Sequence, residues 1–184
     1  MRSEGEHMGR IAAVEYLTLD GVFEDPAWTR PYFDEAVAAF QAEAMGWADA
    51  LLLGRVTYDG MSQAWPAMGN DPATGGDIMN SIGKYVPTST LTEPAWNATF
   101  LSGDVVKAVT ELKARDENLV IYGSGQLTET LRAAGLIDEY RLLIGPVIKG
   151  SGRRLFTGPT PGTFTVTSSA TAPSGVTLLK LAAG

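Results

Sequence analysis

The chain has 184 residues, 45% of them apolar and 19% charged, and a formal charge of −7, which is the makeup of one globular domain. The acidic balance and the lack of any basic block argue against a nucleic-acid partner. There is no cysteine and one histidine, His7, so disulfides, thiolate chemistry, histidine triads and zinc clusters are out and no metal is expected. No apolar run reaches transmembrane length and no cleavable apolar core follows the first residues, so the expectation is a cytoplasmic protein without membrane contact.

Residues 1–9 are charged and glycine-containing and read as a disordered tail, with Met8 as a second start. Ile11–Leu17 is the first predicted strand, closed by the turn pair Asp20-Gly21. The segment from Val22 to Pro31 has no period but carries Phe23 and Trp28, aromatics that either cover a ligand or cap the core. Tyr32–Met45 places Phe33, Ala36, Val37, Phe40 and Ala44 on one face of an amphipathic helix. Ala50–Leu53 is a continuous apolar run, the pattern of a buried strand, and Gly54-Arg55-Val56-Thr57-Tyr58 opens a short helix. The carboxyl end of such a strand is where α/β proteins contact ligands, so Arg55 is either a phosphate contact or a surface ion-pair partner.

Trp65–Asp77 reads as a loop rich in glycine, proline, asparagine and aspartate, anchored by Trp65 and Met68, with a short helix near Ile78–Ile82. Lys84–Val86 is a strand that Pro87 either ends or places at an edge. Thr88, Ser89 and Thr90 then offer three hydroxyls that line a phosphate pocket or satisfy a turn. Asp104–Ala114 is a second amphipathic helix with Ser102 as its cap. Thr163–Ser168 and Val176–Leu181 alternate as a closing antiparallel hairpin.

The stretch from Leu119 to Phe156 carries most of the functional signal. An apolar run, LVIY, meets the turn Gly123-Ser124-Gly125, and the period then shifts from strand to helix with Leu127, Leu131 and Ala134 on one face. Such a junction has two readings. It is ordinary capping with Ser124 or a neighbour as N-cap, or an anion site where unpartnered helix amides meet a phosphate brought close by Gly123 and Gly125. It is neither a G-x-G-x-x-G fingerprint nor a Walker loop. The order of elements predicts one α/β domain over residues 10–184, with a mostly parallel sheet and an antiparallel C-terminal edge.

Four segments, LTLDGV (17–22), ADALLLGRVTY (48–58), GSGQLTETL (123–131) and LIDEYRLLIGPVIKGSGRRLF (136–156), together with Lys84–Leu91, span nearly the whole chain from residue 10. In this order they resemble the dihydrofolate-reductase-like proteins related to the reductase domain of the bifunctional riboflavin-biosynthesis deaminase-reductase. The resemblance implies a three-layer dihydrofolate-reductase-like fold with NADPH across the carboxyl ends of the strands. It implies phosphate contacts from Gly54, Arg55 and Thr57 at one helix start, and from Gly123, Ser124, Gly125 and Gln126 at the other. Thr88, Ser89 and Thr90 match the segment near the adenosine 2′-phosphate, where a family arginine is missing, which removes a bidentate phosphate donor. Asp20 and Gly21 would border the nicotinamide, with Asp20 as the polar residue nearest hydride transfer. Trp28, Tyr32, Phe33 and Trp65 would meet the substrate.

Dihydrofolate reductases carry a carboxylate four residues before a helix phenylalanine, and here that position is Ala36, so folate reduction is not expected. The implied activity is an NADPH-dependent reductase of a small pterin- or pyrimidine-like substrate, related to 5-amino-6-(5-phosphoribosylamino)uracil reductase, acting as a homodimer. The alternatives are a non-catalytic nucleotide or small-ligand binding protein on the same fold and a flavin-dependent enzyme.

Overall fold

The computed structural model describes residues 8–184 and arranges them around one eight-stranded sheet. The tail assigned to residues 1–9, including His7, lies outside the described residues except for its last two. Of these, Gly9 is buried and donates its N–H to the Lys113 carbonyl at 2.8 Å.

Ile11–Leu17 (β1), Ala50–Leu52 (β2), Gly83–Pro87 (β3), Ala98–Leu101 (β4), Leu119–Tyr122 (β5) and Glu139–Ile144 (β6) run parallel. Phe164–Thr171 (β7) and Thr177–Ala183 (β8) complete the sheet in the order β4-β3-β2-β5-β1-β6-β8-β7, with β8 antiparallel to both β6 and β7. The middle strands are buried on both faces, which is why β2 and β5 read as unbroken apolar runs.

Five helices cover the sheet: Glu35–Met45 (α1), Arg55–Met68 (α2), Gly76–Ser81 (α3), Val105–Ala114 (α4) and Gly125–Ala133 (α5). Val109 and Leu112 of α4 and Leu131 of α5 pack with Ile11, Ala13 and Leu17 on one side. Val37 and Ala44 of α1, Tyr58 of α2 and Met79 of α3 pack with Val14 and Leu51 on the other. Alternate residues of β1 thus feed two cores, and the result is a three-layer α/β sandwich.

Several boundaries differ from the sequence reading, each for a local reason. The helix expected from Tyr32 starts at Glu35, because Asp34 accepts the Val37 N–H at 2.9 Å as its cap, while Tyr32 ends a 3-10 turn over Pro26–Tyr32. The helix after Gly54 runs on to Met68 and takes in Trp65. Asp104, not Ser102, caps α4, accepting the amides of Val106 and Lys107 at 2.9 and 3.1 Å. Strand β4 was not expected; Trp96 and Asn97, both at positive φ (51° and 55°), turn the chain into it through a conformation that non-glycine residues seldom announce. Pro87 ends β3, yet β4 pairs outside it, so β3 is not the edge.

Candidate dinucleotide cleft

β2 and β5 are neighbours in the sheet, but α2 leaves β2 toward one face and α5 leaves β5 toward the other. The chain therefore parts at the carboxyl ends of these two strands, the place where open parallel sheets form a ligand crevice. A cleft of about 860 Å³ opens there, and Gly54, Arg55, Thr57, Gly123, Ser124, Gly125 and Gln126 all line it.

The starts of both helices lack side-chain caps, in contrast to α1 and α4. Their first amides are left facing the cleft as donors with a partial positive charge. Ser124 occupies the N-cap position of α5, as one sequence reading has it, but its side chain makes no capping bond to the helix. It sits in the left-handed region at φ 62°, and its Oγ accepts the Gly54 N–H at 2.9 Å while donating to the Tyr122 carbonyl at 3.1 Å. One hydroxyl thus ties the two helix starts together.

Gly123 is needed for its φ of 54°, but Gly125 is needed for packing. A Cβ there would lie 2.5 Å from the Phe23 ring, so the aromatic rests on the bare backbone at the first turn of α5. Phe23 lines the cleft, with the Arg153 guanidinium 5.5 Å from its ring centre. Phe23 also packs against the first core, as the core-cap reading has it. Arg153 lines the same wall; its Nε donates to Glu24 at 2.7 Å. No local motif marks it, since the contact joins segments far apart in the chain. Arg55 lines the cleft, and its Nη1 pairs with Asp59 at 2.9 Å.

Thr88, Ser89 and Thr90 lie one step beyond the cleft, whose wall stops at Pro87. Thr88 Oγ1 accepts the amides of Thr90 and Leu91 at 3.2 and 3.1 Å, the turn-satisfying role, and Ser89 and Thr90 are exposed.

The expected substrate aromatics separate. Trp28 and Tyr32 form a tilted pair with centres 6.4 Å apart, and the Trp28 ring lies over Gly145, just past β6, where a Cβ would collide with it. The Trp28 Nε1 is buried and has no partner among the described residues. Phe33 is exposed, and Trp65 packs into the second core while Asn80 donates to its carbonyl at 3.2 Å. Trp65, part of α2, is half-buried and is not among the residues lining the cleft.

Asp20 is held by a dense set of hydrogen bonds. Its carboxylate accepts from the Thr18 hydroxyl at 2.6 Å, the Lys149 and Gly150 amides at 3.1 and 2.9 Å, and Arg154 at 3.2 Å. The Thr18 hydroxyl first, then the Lys149 amide, hold its pKa far below the usual carboxylate range. An anion so fixed holds the turn after β6 and has no proton to give. Asp34 is likewise committed, to Val37 and to the Ser174 amide at 2.8 Å, with its pKa lowered chiefly by the Val37 amide.

Among the described residues no group of three or more His, Asp or Glu could hold a metal ion. The uncapped amides, the tie between the helix starts and the side-chain-free turn at Gly123 fit a dinucleotide pyrophosphate.

Sheet order, layers and crevice place the protein in the dihydrofolate-reductase-like class of α/β folds. Within that class the chain belongs to the RibD C-terminal domain family, whose match runs over residues 11–178. It is 34% identical over 112 residues to the uncharacterized protein YyaP of Bacillus subtilis (strain 168), which is 59% of each chain, so the match spans less than two thirds of that relative. A putative riboflavin biosynthesis protein from Shewanella sp. PV-4 superposes with a TM-score of 0.73 at 20% identity, over 95% of this chain and 99% of that one. A diaminohydroxyphosphoribosylaminopyrimidine deaminase/5-amino-6-(5-phosphoribosylamino)uracil reductase from Thermotoga maritima gives a TM-score of 0.71 at 16% identity. There the chain covers 57% of the longer protein and 96% of itself is matched. These structural likenesses establish the fold. No helix among the described residues is long and apolar enough to cross a membrane.

Proposed function

We propose that the protein is a nicotinamide-dinucleotide-dependent reductase of a small substrate, for which the sequence resemblance suggests NADPH as cofactor and a pterin- or pyrimidine-like heterocycle as substrate. The observation that carries this reading is the convergence of two uncapped helix starts, joined through Ser124, on one cleft. The bound nicotinamide would supply the hydride. The chain's own part is to hold the pyrophosphate on the amides at the starts of α2 and α5, with Arg55 beside them, and to keep water off the reacting face with Phe23. Trp28 Nε1, a buried donor left without a partner, would take a substrate carbonyl at the ends of β1 and β6. The proposed assembly is a homodimer; β7, an uncharged edge strand exposed along nearly its whole length, supports it, and sedimentation tests it.

Titration of the protein with NADPH and NADH, followed by nicotinamide fluorescence, tests the central claim. Saturable micromolar binding that Arg55→Ala and Ser124→Ala both weaken is expected. Absence of binding by either nucleotide would sink it.

A second reading, a non-catalytic binder on the same fold, is favoured by the commitment of both Asp20 and Asp34 to structural hydrogen bonds. Binding of the dinucleotide without its oxidation by any member of a pterin and pyrimidine panel would select it.

A further inference from the structure

We propose that Glu15, a carboxyl buried in β1 behind the glycine turn, is a positioning residue for the dinucleotide, and that it sets the start of α5 for the pyrophosphate while it carries a proton. This rests on the reductase reading above and adds a residue that touches no ligand.

Glu15 shares its face of β1 with Ala13 and Leu17, beneath α5, and is 1% exposed. Its Oε1 lies 3.0 Å from the Thr128 hydroxyl of α5, and its Oε2 has no partner among the described residues. Thr128 is itself buried, and the same hydroxyl lies 3.4 Å from the Gly123 carbonyl. Gly123 also donates its N–H at 3.1 Å to the carbonyl of Val14, the residue before Glu15. The turn that lines the cleft is thus anchored on β1 twice, once through the main chain and once through Thr128.

A threonine hydroxyl has one proton, and here it faces two acceptors. When Glu15 is ionised, the carboxylate is the stronger acceptor and takes that proton, so the Gly123 carbonyl loses its side-chain donor. When Glu15 is protonated, its own O–H can donate to Thr128 Oγ1, and the hydroxyl proton turns to Gly123. The C=O and N–H of one peptide unit point in opposite directions. A Gly123 carbonyl held inward by Thr128 therefore aims the Ser124 N–H outward, into the cleft that Ser124 lines. That N–H is one of the donors an incoming pyrophosphate needs.

Burial favours the protonated state, raising the Glu15 pKa well above the ordinary carboxyl value against a smaller lowering by Thr128. No cation pairs with the carboxyl. On this face β5 presents apolar side chains, and β6 presents Tyr140, whose own pKa burial raises, so it stays neutral. On α5, Arg132 pairs with Glu129, and Lys113 of α4 pairs with Asp138. The proton is present below the raised pKa and lost as pH rises through it, so the tighter binding belongs to the lower pH range.

NADPH titrations of the wild type, Glu15→Gln and Thr128→Val from about pH 6 to about pH 9, a range in which buried carboxyls ionise, test this. Glutamine has no proton to lose and can donate through its amide to Thr128, so Glu15→Gln should keep the tight state throughout. Valine keeps the shape of threonine and removes the relay, so Thr128→Val should bind weakly throughout. The wild type should match Glu15→Gln at the low end and bind about fivefold more weakly at the high end, the weight of one hydrogen bond. Comparing the proteins at each pH cancels the titration of the nucleotide. A ratio of wild type to Glu15→Gln that does not change with pH would overturn the inference, as would wild-type pH dependence retained by Thr128→Val. Absence of NADPH binding by the wild type at every pH removes the dinucleotide reading itself, and this inference with it.

Discussion

Ser124 Oγ and the Gly54 amide are 2.9 Å apart, and this one hydrogen bond joins the turn after β5 to the turn after β2. Ser124→Ala removes the acceptor and leaves Gly54 short of a partner, at an expected loss of about 1–2 kcal/mol. The residue's φ of 62° allows a sharper comparison. Glycine accepts that conformation freely and alanine does not, so Ser124→Gly should unfold at higher urea than Ser124→Ala. Both should bind the dinucleotide more weakly, since both lose the tie. Equal stability of the two variants would mean that the turn relaxes out of the left-handed region.

Gly125 and Phe23 should behave as a coupled pair. The methyl of Gly125→Ala would intrude on the Phe23 ring, which we expect to cost about 1–3 kcal/mol and to push the aromatic off α5. In a Phe23→Ala background the same methyl should cost little, giving a coupling of at least about 0.5 kcal/mol in a double-mutant cycle. Urea denaturation of the four proteins measures it, and strict additivity would show that the ring is not seated there.

Glu15 is fully buried in β1, accepts from the Thr128 hydroxyl at 3.0 Å through Oε1, and has no partner for Oε2 among the described residues. Burial raises its pKa well above the ordinary carboxyl value, against a smaller opposing effect of the Thr128 bond. The folded state thus holds this proton where the unfolded chain releases it, so the stability it confers is complete below the unfolded pKa of about 4.3 and declines as pH rises. Glu15→Gln keeps the shape and removes the titration. The variant should match the wild type near pH 4 and exceed it at pH 8 in thermal unfolding; a gap that does not change with pH would exclude this account.

Lys84 has the opposite sign. Burial lowers its pKa from 10.5 to about 8, so between those values the unfolded chain binds the proton that the folded protein has lost. Stability should rise with pH from about 8 until the tyrosines, whose pKa values burial raises, begin to matter near 10. Subtracting the curve of Lys84→Met from that of the wild type isolates the slope. A flat difference would mean that Lys84 stays charged throughout.

The fold was legible wherever periodicity and burial coincide. The buried runs of β2 and β5, the weak alternation of β1 and the apolar faces of α1 and α4 follow directly from spacing, and the hairpin of β7 and β8 from its alternation. β4 was not legible, because four residues at a sheet's edge, entered through two left-handed residues, leave no period to count. The glycine turns of the cleft were visible, but their reasons were not. That Ser124 bonds across to Gly54, seventy residues earlier, and that Phe23 occupies the space over Gly125 are relations between distant segments. The same holds for Asp20, whose bonds to Lys149, Gly150 and Arg154 come from a loop far along the chain.

The groups that α2 and α5 offer to the cleft are peptide N–H groups, which every residue except proline possesses. A conventional alanine scan would therefore pass over most of both helix starts without a signal, apart from Ser124, Arg55 and the glycines at 123 and 125. What specifies this half of the cleft is the path of the chain, held by two adjacent strands whose helices depart in opposite directions. Such a framework leaves the side chains along the rim free to change while the main chain keeps its shape. Sequence changes around Trp28 and Gly145 would leave the β2–β5 junction untouched.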